Sequence, residues 1–405
     1  MRSSALRLVV NPCISLVTLT CMHVHALPVT TQFSYDGAFW GIGAGNGAPQ
    51  APWLEQSQLE LGLDLNGEQR ANNPAIASFK ALMSLRWRDP ANQKDPGQLV
   101  GASALFDPSD WGSGTGLRLL QIGIDVEAGP GSPGQRRYNL IAGWIQPQQQ
   151  FLQQPLSKLV LNHAVLSAKG VGGNIPFVSS FSTWGATLAW RPNTDQQLKG
   201  GLFMTYPDAT QSSNHGLWFG GNPSQPSQNR MMGIVEWGSR HRLGQQRLPG
   251  LWALGAYVYG FPGETSADSF NTAPQVGGYL QLDQTLWQDK QLSSRRLDAF
   301  SVIALAPEFN NPYPFYGHLG LAFQGPWRSR PADVLIGTIA YGSYSAALGS
   351  PIKSSSLIAE MGYQLSLDRA ETLFLYPYLQ VLIRPDGTST TPNALLAGLA
   401  IRVRL

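Results

Sequence analysis

The 405-residue sequence predicts an all-β fold: a transmembrane antiparallel up-and-down β-barrel of about 16 strands. Three observations predict it. From about Ser57 onward the chain falls into segments of roughly 9 to 13 residues with apolar side chains at every second position, separated by clusters of Gly, Pro, Asn, Asp and Ser. Beyond the N-terminal region no apolar run approaches the roughly 20 residues of a membrane-spanning helix, and the longest, Leu251 to Phe261, is about half that. A mean hydropathy of -0.12 with 13% charged residues suits a sheet with one apolar face and one wet face.

The chain begins with a segment that reads as a secretory signal over residues 1–26. Arg2 and Arg7 form its charged start, Leu8 to Cys21 its apolar core, and Val24-His25-Ala26 its small-x-small cleavage site, which places the mature start at about Leu27. An anchor helix is the competing assignment, but the core is short and Asn11-Pro12 interrupts it. Acylation at Cys21 is disfavoured by the bulk of Thr20 before it. Both cysteines, Cys13 and Cys21, fall inside this segment, so residues 27–405 are expected to hold no disulfide, zinc-thiolate site or cysteine nucleophile. That suits a chain crossing an oxidising compartment unfolded. Taking Arg2 and Arg7 from 28 basic residues against 25 acids leaves one net positive charge, which gives a nucleic acid no electrostatic footprint.

The remaining domain, 27–405, is expected to place strands near 57–65, 77–88, 115–127, 136–145, 182–191, 197–206, 215–219, 229–239, 249–260, 274–287, 296–306, 315–324, 333–343, 356–368, 373–384 and 393–405. Roughly 24 residues then fall to each strand and its share of turn. In 77–88, Phe79, Ala81, Met83, Leu85 and Trp87 alternate with Lys80, Leu82, Ser84, Arg86 and Arg88, so three cations point inward together. In 356–368, Leu357, Ala359, Met361, Tyr363, Leu365 and Leu367 oppose Glu360, Gly362, Gln364, Ser366 and Asp368. The final segment sets Leu395, Ala397, Leu399, Ile401, Val403 and Leu405 against Gly398, Ala400, Arg402 and Arg404. Closing such strands on themselves satisfies the backbone donors and acceptors that lipid cannot. Trp87, Trp144, Trp184, Trp190, Trp237, Tyr257 and Tyr376 lie near segment ends, where an interfacial girdle needs aromatics. Residues about 145–181 break the alternation and are expected to form a long loop folded into the lumen.

No catalytic or metal motif is evident. His163, His215, His241 and His318 are scattered without the i, i+4 spacing of a helical zinc pair, and no G-x-S-x-G elbow occurs. Gly41, Gly43, Gly45 and Gly47 miss the G-x-G-x-x-G pattern and read as a flexible loop. Glu360 with Asp283 could serve glycoside hydrolysis only at a carboxyl separation that sequence does not give. What the alternation does supply is a set of candidate pore-lining or constriction residues: Lys80, Arg86, Arg88, Arg191, Asp283, Glu360 and Gln364, with Lys199 and Asp368 nearby. Guanidinium forks can donate to solute hydroxyls, and the same charges can instead pair across the lumen and stiffen the barrel. No metal or cofactor is expected.

Particular residues carry more than periodicity. Gly277-Gly278-Tyr279 runs into Asp283-Gln284, Gly320 to Ile336 reads GLAFQGPWRSRPADVLI, and Glu360 to Leu365 is followed by Tyr376-Pro377-Tyr378-Leu379-Gln380 and Arg384-Pro385-Asp386-Gly387. With Trp184-Gly185-Ala186 and Pro192 upstream, these resemble the carbohydrate-selective porin (OprB) family of Gram-negative outer membranes, over most of the mature chain. The resemblance implies a 16-stranded outer-membrane barrel with inward-folded loops and an arginine-containing constriction passing mono- and disaccharides unchanged. Small sugars, outer-membrane lipid and the barrel assembly machinery are the implied partners, a homo-oligomer is compatible with the sequence, and no nucleic acid is involved. The chain departs from the pattern in ending on Leu405 rather than an aromatic residue, and no motif fixes which arginines form the constriction. An outer-membrane barrel enzyme or adhesin, and a secreted sugar-binding β-sandwich, are the alternatives.

Overall fold

A computed structural model describes residues 29–45, 52–65, 76–88, 95–111, 115–132, 134–205, 215, 230–260, 274–348 and 354–405. The expected signal, 1–26, lies outside these residues. Sixteen strands make one closed sheet: β1 (Val29–Ala44), β2 (Trp53–Asp64), β3 (Ile76–Arg88), β4 (Gly116–Ala128), β5 (Tyr138–Ile145), β6 (Thr183–Trp190), β7 (Gln196–Thr205), β8 (Arg230–Leu243), β9 (Leu248–Tyr259), β10 (Gln275–Gln288), β11 (Arg296–Leu305), β12 (Phe315–Gln324), β13 (Val334–Ser343), β14 (Ser355–Ser366), β15 (Leu373–Ile383) and β16 (Ala394–Arg404). Every strand pairs antiparallel with its neighbours in chain order, and β1 closes on β16 with Asp36 opposite Arg402 and Phe39 opposite Leu399. Closure removes both sheet edges, as lipid requires. A two-sheet sandwich is thereby excluded.

The strand count agrees with the alternation, but its membership differs in two places. β1 was not anticipated, and Gly41 and Gly43, expected in a loop, stand within it. Its inner face changes character along the strand, from Ser34 and Asp36 to the fully buried Ala38 and Trp40, so no polar/apolar alternation marks it. The expected segment 215–219 is described only at His215, and β7 pairs directly with β8, leaving no position for a strand between them.

The outer face is apolar, with Leu188, Leu202, Leu254 and Met361 all more than half exposed around its circumference. Trp184, Trp190 and Trp237 join that face, and Trp144, opposite Ile122 and Trp184 in register, stands on the same side but is covered by Val178 and Phe181 of the connection 146–182. Tyr257 and Tyr376, expected in the girdle, point inward and are buried. Their burial follows from a second core inside the barrel. The connection 146–182 between β5 and β6 folds inward, as its lack of alternation suggested, and buries Phe151, Leu161, Val165, Val171 and Phe177 against Trp40, Phe300 and Tyr316 of the wall and Phe106 of the connection 89–115. Each such side chain contributes about 1.5–3 kcal/mol relative to exposure. The connection 89–115 also carries the short helix α1 (Pro96–Val100), capped by Asp95. The connections at one barrel end are mostly short turns, such as 191–195 and 244–247, and both β1 and β16 have their chain termini there; the longer loops, including 89–115 and 146–182, stand at the other.

Candidate functional site

The inward loop is held at two points by buried glutamates, each positioned by a tyrosine, in one case from the adjacent strand and in the other from two strands away. At the first, Glu360 of β14 accepts from Leu161 N at 2.9 Å, Asn162 N at 2.9 Å, Asn162 Nδ2 at 2.8 Å, the Tyr376 hydroxyl at 2.8 Å and Gln380 Nε2 at 2.9 Å. At the second, Glu236 of β8 accepts from Leu152 N at 2.9 Å and the Tyr279 hydroxyl at 2.9 Å, and pairs with Lys199 Nζ at 2.5 Å. Glycine makes room for both tyrosines: a Cβ at Gly362 would lie 2.2 Å from the Tyr376 hydroxyl oxygen, and one at Gly255 would lie 2.1 Å from the Tyr279 ring. Between the clamps, Asp283 accepts from Gln154 Nε2 at 3.2 Å and Gln281 Nε2 at 2.6 Å.

The loop leaves open space beside part of the inner face of β16, β1, β2 and β3. There a cavity of about 270 Å³ runs between that wall and the loop. Sheet register arranges the wall in rows. In one, Arg402, Asp36, Gln56 and Arg88 stand opposite one another on successive strands, joined by Gln56 Nε2 to Asp36 at 3.4 Å and Arg88 Nε to Gln56 Oε1 at 3.0 Å. The next row is Arg404, Ser34, Gln58, Arg86 and Arg118. The opposite side is polar as well, with Gln148, Gln149, Gln153, Lys158 and Lys169 from the loop, and Asp110 and Trp111 from the connection 89–115.

Asp110 links the two loops to the wall. It accepts from Arg88 Nη2 at 3.2 Å and the Ser179 hydroxyl at 2.5 Å, and its other oxygen lies 2.6 Å from His163 Nδ1. Burial alone would raise this carboxyl, but His163, Arg88 and Ser179 hold it below the usual carboxylate range. Arg86 donates through Nη1 to the Ser179 carbonyl at 3.0 Å, while its Nε and Nη2 have no partner among the described residues. Lys169 is buried with its Nζ on the Leu166 carbonyl at 3.2 Å. Burial, and then Lys158 nearby, bring its pKa from 10.5 down to about 7.

Of the residues anticipated from alternation, Arg86 and Arg88 line this cavity together, and Gln364 reaches it indirectly, accepting from Arg402 Nη1 at 3.2 Å. Glu360 is 2% exposed beneath the loop, where it acts as an anchor. Lys80 stands toward the turn end, between Asp64 and Asp125 in register. Arg191 lies in the β6–β7 turn, donating to the Arg136 carbonyl at 2.9 Å. Asp283 borders a separate space of about 710 Å³ with Arg240, Arg242, Arg247 and Arg296. Sequence reasoning missed Asp36 because β1 went unseen. It also missed Asp110, Lys158 and Lys169, which sit in non-periodic loops; Arg402 and Arg404 were legible on the inner face of the last strand. Among the described residues no group of three or more His, Cys, Asp or Glu is placed to hold a metal.

Residues 132–405 match the family model described as carbohydrate-selective porin, OprB family. Porin B of Pseudomonas aeruginosa is 23% identical over 263 residues, covering 57% of this chain and 56% of that protein, so the match spans just over half of the relative's length. Among solved structures, Pseudomonas putida OprB at high pH superposes with a TM-score of 0.77 at 18% identity, covering 93% of this chain and 94% of the other. The low-pH structure of the same protein gives 0.57 at 15% identity, covering 93% and 92%.

Proposed function

Since the chain belongs to the carbohydrate-selective porin, OprB family, we propose that this outer-membrane barrel gives small sugars and similar polar solutes a passive route into the periplasm and does no chemistry on them. The observation that carries this reading is the cavity beside the loop, with walls of arginine, glutamine and carboxylate while the opposite face of the same strands is apolar. Guanidinium and amide groups exchange hydrogen bonds with sugar hydroxyls at low cost, so a solute is held weakly and released. In this reading Arg86 and Arg88, with Arg402, Arg404, Asp36, Gln56 and Gln58, form the constriction. Residues 1–26 act as the export signal, and N-terminal sequencing of the membrane form would then start near Leu27.

The test is stepwise conductance of the detergent-purified protein in planar bilayers, with glucose and maltose added. Partial block by either sugar supports the reading, and faster liposome swelling with sugars than with amino acids of equal size supports its selectivity. A silent protein with hydrolytic activity would refute it. Arg86→Ala combined with Arg88→Ala weakens sugar block; unchanged block in that variant would refute the constriction assignment.

A further inference from the structure

Among the described residues nine charged side chains line this cavity, and they are unequally matched. The acids are Asp36, Glu60 and Asp110; the cations are Arg86, Arg88, Lys158, Lys169, Arg402 and Arg404. Two of the three acids are already engaged. Asp110 is held by Arg88, His163 and Ser179, and Asp36 by Arg404 at 2.6 Å with Arg402 at 3.9 Å. Glu60 accepts from Gln58 Nε2 at 2.6 Å. On the cationic side, Lys158 is exposed in the lumen and, among the described residues, has no hydrogen bond or ion pair. Arg86 is 3% exposed and, among the described residues, touches no carboxylate and has two guanidinium nitrogens, Nε and Nη2, without partners. Lys169 Nζ meets, among the described residues, only a backbone carbonyl. The excess cations occupy both sides of the passage: Arg86 on the wall, Lys158 and Lys169 on the facing loop. Charges of one sign on facing low-dielectric walls reinforce one another along the axis.

From this arrangement we infer that the channel favours sugars carrying an anionic group, a carboxylate or a phosphate, over neutral sugars of the same size. The inference rests on the porin reading and adds the substrate class to it. The glutamines and arginines of the wall address hydroxyls, which all these solutes share. The surplus positive potential acts only on the anionic group, with Lys158 as its accessible contact and Arg86 behind it. A neutral sugar passes the same wall without that attraction.

Planar-bilayer recordings of the full chain decide the matter. Under a KCl gradient the reversal potential indicates chloride preference, and glucuronate and glucose 6-phosphate half-block the current at concentrations about tenfold below glucose. Stronger block by one of the two anions identifies carboxylate or phosphate as the preferred group. Lys158→Glu, an exposed change outside the loop core, brings the glucuronate-to-glucose ratio toward one while glucose still blocks. Arg86→Gln acts in the same direction. Potassium preference, or equal block by glucuronate and glucose in a channel that glucose does block, overturns this inference and leaves the porin reading standing. Absence of stepwise conductance removes both.

Discussion

Replacing Glu360 tests whether the inward loop sets the width of the channel. Glu360→Ala leaves the Leu161 and Asn162 backbone N–H groups and the Tyr376 hydroxyl without their acceptor, all in a site that is 2% exposed. At about 1–3 kcal/mol for each buried donor without a partner, three donors amount to roughly 3–9 kcal/mol before relaxation or water entry. A change of about 1.4 kcal/mol is tenfold in a population, so even the lower figure shifts the loop substantially from its seat. The barrel itself is spared, because β14 keeps its backbone pairing to β13 and β15. The expected result is a larger and noisier single-channel conductance, together with new proteolytic cleavage within 146–182. Far-ultraviolet circular dichroism and heat-modifiable gel mobility should remain those of a folded barrel. Glu360→Gln keeps one acceptor oxygen and should fall between the two. Wild-type conductance and protease resistance in Glu360→Ala would refute the anchoring role.

Three further outcomes are expected. Lys169, with a pKa brought down from 10.5 to about 7, carries its charge below neutral pH and loses it above, whereas an ordinary lysine stays charged well beyond. Lys158, Asp110, Asp283 and Glu236 are the charged groups around it, so anion preference measured by reversal potential should fall as pH rises through about 7 in wild type, and this step should vanish in Lys169→Met. The Asp95 and Asp107 carboxyls meet in the connection 89–115, and burial first, then their mutual proximity for Asp107, raises both above the usual carboxylate range. A raised folded-state pKa means the folded loop binds the extra proton, so its stability declines as pH rises from the ordinary carboxylate range toward the raised value. Asp107→Asn should therefore slow hydrogen exchange across 95–111 at neutral pH, and faster exchange would contradict this. Gly362→Ala sets a methyl 2.2 Å from the Tyr376 hydroxyl oxygen and should destabilise by about 1–3 kcal/mol, seen as a lower temperature of the heat-modifiability transition.

The barrel was legible because one side of each strand faces hydrocarbon everywhere. Met361 and Leu399 are exposed on the outer face while Glu360, Ala400 and Arg402 are buried within, as the alternation of β14 and β16 requires. The rule failed where the inner side is not wet. In β1 the loop core covers Ala38, Trp40 and Ile42, so apolar residues stand inside and glycines such as Gly41 and Gly43 outside. The same core turned Tyr257 and Tyr376 away from the expected girdle. For the site, alternation establishes that Arg86 and Glu360 both face inward, but not what fills the interior beside them. Period two carries no information about where a 37-residue connection such as 146–182 comes to rest. Glu360 thus lies under that loop and Arg86 along its open margin.

The placement of that loop also accounts for the sign of the lumen. A segment that enters a barrel without strand partners brings backbone N–H groups that need acceptors from the wall. Carboxylates supply several at once: Glu360 takes three N–H groups of Leu161 and Asn162 besides a hydroxyl and an amide, and Glu236 takes Leu152 N with Lys199 and Tyr279. Such acids are covered by the loop they hold and are withdrawn from the passage. Cations serve loop carbonyls more sparingly, as Arg86 does on Ser179 and Lys199 on Gln150, and a guanidinium so engaged retains its charge and further donors. Seating the loop therefore removes negative groups from the lumen more completely than positive ones. An inner surface whose charges nearly balance in sequence becomes cationic along the open path once the loop is in place.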